Sequence, residues 1–151
     1  MTNEQSTAGD EAMSNGVLGA MGIGVSDLRR STDFYTRVLG MEQIGRLRLP
    51  DMDEVMLAYD RSRGPALVLM HHTDGRAVSY ADLPVKVVVY VGDPTATAAA
   101  IRADGLDVTR EPAAVPELGD AVVGFAKDPD GYVVELLQRP ERSRRAAPSG
   151  G

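Results

Sequence analysis

Val25 to Met41 reads VSDLRRSTDFYTRVLGM, and Val91 to Gly105 reads VGDPTATAAAIRADG. Both stretches open on Val-x-Asp and run to a glycine. A Ser or Asp just ahead of a helical run accepts a hydrogen bond from a free backbone N–H, so Ser26 or Asp27 marks one helix start and Asp93 another. Pro94 fits the first helical position, where its missing N–H has no intrahelical partner to lose. Leu28, Phe34, Tyr35, Val38 and Leu39 fall mostly at helical spacing and make one apolar stripe. Gly40 and Gly105 supply the left-handed residue that stops a helix. The two aspartates are 66 residues apart and the two glycines 65. Such a period says that one supersecondary unit occurs twice.

Strand signals surround each helix. Val17 to Val25 precedes the first, and Met41–Leu47, Glu54–Tyr59 and Ala66–His71 follow it, punctuated by Pro50–Asp51 and Arg63–Gly64–Pro65. Lys86–Val91 precedes the second helix, Thr95–Ala103. Strands near Val108–Arg110, at Ala121–Lys127 and at Tyr132–Gln138 follow, with Asp130–Gly131 as a tight turn between the last two. The expected fold is therefore α+β: two βαβββ modules, residues 17–72 and 84–138, forming an open, incomplete barrel around a concave pocket. Residues 1–16 and 139–151 are polar and aperiodic and read as disordered tails.

Composition narrows the function. With 151 residues, the chain has the length of one domain. It has no cysteine, which excludes disulfides, thiolate metal sites and a cysteine nucleophile, and suits a reducing cytoplasm. A net charge of −6 opposes binding to nucleic-acid phosphates or anionic lipid. No apolar run approaches the ~20 residues of a membrane span, and the N-terminal residues lack the basic and apolar regions of a signal peptide. Walker, dinucleotide-binding and nucleophile-elbow motifs are all missing. The expected ligand is a small molecule.

Three motifs carry a resemblance. Asp27–Met41 (DLRRSTDFYTRVLGM) resembles the first helix of glyoxalase I, Asp128–Gln138 (DPDGYVVELLQ) resembles that family's final hairpin and strand, and Thr109–Arg110–Glu111 before Pro112 also matches it. Over roughly Leu18 to Gln138 the chain is similar to the vicinal oxygen chelate superfamily of glyoxalases, bleomycin-resistance proteins and dioxygenases. That resemblance implies four inward-facing positions for one divalent metal, two histidines and two glutamates. Counting from the motifs puts Ala20, Val68, Lys86 and Glu135 at those positions. One ligand of four survives.

Glu135 shares a strand face with Val133 and Leu137, and an unpaired carboxylate there is costly. Lys86 shares a face with Val88 and Tyr90 and cannot ligate a metal while protonated, though it can stand in for the metal's charge. The catalytic candidates are thus Glu135 and Lys86, with His72, Tyr90, Met70, Val68 and Ala20 as substrate-binding candidates. No cofactor is expected. The alternative is one divalent metal held by His72 and Glu135, completed by Asp74 or a second subunit. The reading that follows is a metal-independent isomerase, epimerase or lyase acting on an enolisable carbonyl compound. The alternatives are a binding protein of the bleomycin-resistance kind without catalysis, and a metalloenzyme with displaced ligands. Similar proteins pair their sheets, so a homodimer is expected.

Overall fold

The structure is a computed structural model and describes residues 16–80 and 83–140. Its elements run β1 (Ala20–Gly24), α1 (Leu28–Asp33, continued by a π-helical turn at Phe34–Val38), β2 (Glu42–Arg48), β3 (Met52–Ala58) and β4 (Ala66–His72). Then come β5 (Lys86–Tyr90), α2 (Pro94–Ala103), β6 (Val108–Val115), a 3-10 turn at Pro116–Leu118, β7 (Ala121–Lys127) and β8 (Val133–Gln138). Two four-stranded sheets result, ordered β1-β4-β3-β2 and β5-β8-β7-β6. In each, the first strand pairs in parallel with the last and the other pairs are antiparallel. This is the α+β architecture of two βαβββ modules.

Asp27 and Asp93 cap the helices, accepting from the backbone N–H groups of Arg30 and Ala96. Gly40 and Gly105 adopt φ of +78° and +81°, where any other residue is strained. The first helix departs from its expected form, because its second half widens to π geometry and Leu39 N–H donates to the Phe34 carbonyl. Phe34 and Tyr35 are consecutive and both fully buried. The widened turn accommodates both inward, with their rings edge to face at 5.1 Å.

The sixth strand is longer than the short segment expected near Val108–Arg110. Pro112 sits inside the strand, where the register shifts between Arg110 and Ala113. A bulge tolerates the missing N–H. Opposite it, a Cβ on Gly124 would come within 2.7 Å of the Pro112 ring, so the glycine is what lets the proline pass.

The helix-facing sides of both sheets make one core. Ile23, Val55, Leu57 and Leu69 of the first module and Val89, Ala126, Val134 and Leu136 of the second belong to it, with Phe34, Tyr35 and Ile101 from the helices. The β7–β8 turn locks the modules together. Buried Asp128 accepts from Tyr35 Oη at 2.8 Å and from the backbone N–H groups of Asp130 and Tyr132. Both carboxylate oxygens of Asp130 accept from Ser26 N–H, just ahead of α1. Tyr132 Oη donates to the Gly24 carbonyl, and Tyr80 Oη to that of Val25.

The expected tails lie mostly outside the described residues. No helix among those residues is long and apolar enough to cross a membrane.

Candidate functional site

Alternation along each strand leaves one face of each sheet turned away from the helices. On the second sheet that open face carries three rows across the strands. Lys86, Val133 and Lys127 form the first. Val88, Glu135, Phe125 and Arg110 form the second. Tyr90, Leu137, Val123 and Ala113 form the third.

Lys86 and Glu135 come from different strands, one position out of register along the face, and they meet. Lys86 Nζ lies 2.5 Å from Glu135 Oε2, with the glutamate side chain 9% exposed and the lysine 52%. A carboxylate so poorly hydrated needs this cation. The lysine, half in water, can turn its free N–H groups toward another oxygen without leaving the site.

The first sheet shows the same geometry without the chemistry. Ala20 pairs with Ala66 as Lys86 pairs with Val133, and Val68 and Glu135 each lie two residues further on. The four positions implied by the resemblance are therefore two equivalent pairs, one apolar and one ionic. Glu135 is the one ordinary metal ligand among them, and its carboxylate is already bound to an ammonium. These residues do not fit a divalent ion. The fallback pair, His72 and Glu135, would need further ligands. Asp74, a possible third ligand, is bound by Arg76, which holds its carboxyl down at about 2. Among the described residues no group of three or more His, Asp or Glu side chains could hold a metal.

The remaining candidates divide between two places. A cleft of about 400 Å³ lies between the edge strands β1 and β5 and is largely apolar, lined by Met21, Leu57, Tyr59, Leu67, Val88 and Tyr90 among others. Lys86 borders it too. Ala20, Val68, Met70 and His72 do not; they share the open face of the first sheet. There Met70 acts as filler, because a Cβ on Gly22 would meet its Sδ at 2.9 Å. The glycines of β1 thus make room for Met70 at that point, where ligand approach was the other expectation. His72 Nδ1 is buried without a hydrogen-bond partner. His71, on the opposite face, places Nδ1 3.0 Å from the Val25 carbonyl.

Sequence reading passed over three residues of the second sheet's open face. Arg110 sits 5.9 Å from the Phe125 ring centroid, and Phe125 is the direct neighbour of Glu135. Arg139 stacks on Tyr90 at 4.0 Å. The available signal was the strand expected near Val108–Arg110, which already held Arg110; its partner Phe125 follows only from the observed register.

Two βαβββ modules with a strand-paired ligand position in each define the glyoxalase class of fold. The chain belongs to the Glyoxalase/Bleomycin resistance protein/Dioxygenase superfamily, whose family model matches residues 17–136. Among curated proteins it is 36% identical over 135 residues to a probable lactoylglutathione lyase of Vibrio parahaemolyticus, covering 87% of this chain and 96% of that one. Glyoxalase I from Zea mays superposes with a TM-score of 0.72 at 27% identity, over 82% of this chain and 45% of the maize chain, so this chain spans about half of that protein. TnmS3, an antibiotic binding protein from Streptomyces sp. CB03234, superposes with a TM-score of 0.66 at 20% identity, over 85% of this chain and 99% of that one, and shares the fold.

Proposed function

We propose that the chain is an enzyme of the lyase and isomerase kind that moves a proton on an enolisable carbonyl compound without a metal. The carrying observation is the 2.5 Å contact between Lys86 and poorly exposed Glu135. Glu135 takes the proton from the carbon beside a carbonyl. The electron pair moves onto the carbonyl oxygen, and the Lys86 ammonium donates a hydrogen bond to the oxyanion. Glu135 then returns a proton on the same face: to the same carbon, which exchanges its hydrogen with solvent, or, on an α-hydroxy carbonyl compound whose hydroxyl proton passes to the former carbonyl oxygen, to the neighbouring carbon, which gives isomerisation.

The similar lyases support this reading through chemistry. Lactoylglutathione, the compound in their name, carries a C–H beside a thioester carbonyl, a proton of the type a carboxylate base removes. It is the first compound to assay, followed by simple enolisable ketones. Solvent deuterium incorporation, read by proton NMR, is the test. Glu135→Gln should abolish incorporation while the ligand still binds. Incorporation that survives this substitution would remove Glu135 from the mechanism.

A second reading, sequestration of a small apolar compound without chemistry, is favoured by the apolar cleft of about 400 Å³. Under it Glu135→Gln changes affinity alone.

A further inference from the structure

The open face of the second sheet is cationic, on a chain whose net charge is −6. Lys86, Lys127 and Arg110 stand on it, Arg139 lies over its Tyr90 ring, and Glu135 is its one carboxylate in the three rows. Lys86 is neutralised by Glu135. Arg110, Lys127 and Arg139 make no salt bridge among the described residues, as is also true of Arg29, Arg30, Arg48 and Arg63; what sets the first three apart is that they gather on or over one sheet face. Glu111, next in sequence to Arg110, pairs with Arg102 instead.

Position makes Arg110 the most informative of the three. It lies in the same cross-strand row as Glu135, with Phe125 between them. Adjacent strands are about 4.8 Å apart, so the backbones carrying Glu135 and Arg110 are separated by about 10 Å. Phe125 stands between them in the row. The Arg110 guanidinium lies 5.9 Å from the ring centroid, at the limit of cation–π contact, and its N–H fork is free for a carboxylate or phosphate.

From this arrangement we infer that the substrate is an anion with a flat, ring-sized apolar body. The body lies on Phe125, the anionic group is held by Arg110, and the reacting carbon is at Glu135. Arg110 is then a specificity-determining residue, and Lys86 remains available for charge that develops at the other end. The assignment of the reacting end rests on the proton-transfer reading above; the assignment of the anionic end does not.

A probe with this layout is 4-acetylbenzoate, which has an enolisable ketone and a carboxylate on opposite sides of one ring. Calorimetric titration would compare it with its methyl ester on the wild type, Arg110→Gln and Arg139→Gln, with circular dichroism to check that each variant is folded. The wild type should bind the acid at least about tenfold more tightly than the ester, the scale of one charge-assisted hydrogen bond. Arg110→Gln should bring the two within about twofold, and Arg139→Gln should keep most of the preference. Equal binding of acid and ester by the wild type would overturn the inference. So would a preference that survives Arg110→Gln, or one that vanishes with Arg139→Gln instead. If the preference depends on Arg110 and yet no deuterium enters the methyl ketone, the anion site stands and the proton-transfer reading fails.

Discussion

Lys86 and Glu135 are unequal partners, and their inequality sets what each substitution does. Glu135 is nearly enclosed and Lys86 is half in water. Removing the lysine strands a carboxylate among Val88, Val133, Leu137 and Phe125. Breaking a fully buried pair costs about 3–5 kcal/mol, and screening at the exposed lysine brings the expectation here to roughly 1–3 kcal/mol. Glu135→Gln leaves an amide oxygen that still accepts from the ammonium, so it should cost less than Lys86→Met. Urea denaturation of both variants checks the order; a smaller loss for Lys86→Met would mean that the glutamate is solvated by something else. This pair was legible in the sequence because both positions are counted from nearby motifs, Lys86 from Val91 and Glu135 from Asp128–Gly131. Arg110 was not: it stood in the strand expected near Val108–Arg110, but the register shifts on either side of it make its partner, Phe125, unreadable from spacing.

Between elements, the β7–β8 turn joins the modules through protons as well as through packing. Burial pushes the Asp128 carboxyl above its ordinary range, against the hydrogen bonds from Tyr35 and the backbone N–H groups. Burial, then the Asp128 charge, pushes the Tyr35 phenol far above the usual 10. Tyr59 has an exposed ring, but its hydroxyl is tucked against the Leu39 carbonyl, and desolvation there raises it to about 12. A raised folded-state value contributes stability that is fully present below the unfolded value and lost as pH climbs through the folded one. For the tyrosines that loss begins near pH 10, where the unfolded phenols ionise and the buried ones cannot. The melting temperature should therefore fall steadily above pH 10, and Tyr35→Phe should flatten the fall while lowering stability at neutral pH by about 1–3 kcal/mol through the lost bond to Asp128. A variant as alkali-sensitive as the wild type would mean that other tyrosines govern the loss. Asp130→Ala, which frees the Ser26 N–H ahead of α1, should cost about 0.5–2 kcal/mol in the same assay, the scale of a helix cap. The helix caps and stops were readable from Asp27, Asp93, Gly40 and Gly105. The π turn was not: the stripe put Phe34 and Tyr35 on one face, but it does not show that the turn must widen to bury both, and the partner of Tyr35 Oη is an aspartate 93 positions away.

For the whole molecule, the repeat of Val-x-Asp, helix and glycine was enough to read two modules, whereas the distribution of ligand-binding surface was not. Ala20, Val68, Met70 and His72 were expected around one pocket with Lys86 and Glu135, but they lie on the open face of the other sheet. Two edge strands, β1 and β5, border a cleft where Leu18, Met21, Tyr59, Val88 and Tyr90 are all exposed. Unpaired edges beside exposed apolar side chains call for cover. Light scattering at micromolar concentration should give about twice the chain mass of 16.1 kDa; a value near the chain mass would leave those strands uncovered.

In the proposed function an ammonium–carboxylate pair, and not a metal ion, does the work of this site. This is tested most directly by following solvent deuterium incorporation into an enolisable substrate after exhaustive treatment with chelator, before and after divalent metal is added back. The rate should be unchanged by the chelator and unchanged by added metal, because Glu135 already holds Lys86. A rate that disappears with the chelator and returns with one equivalent of metal per chain would show that a metal ion, not Lys86, carries the developing charge.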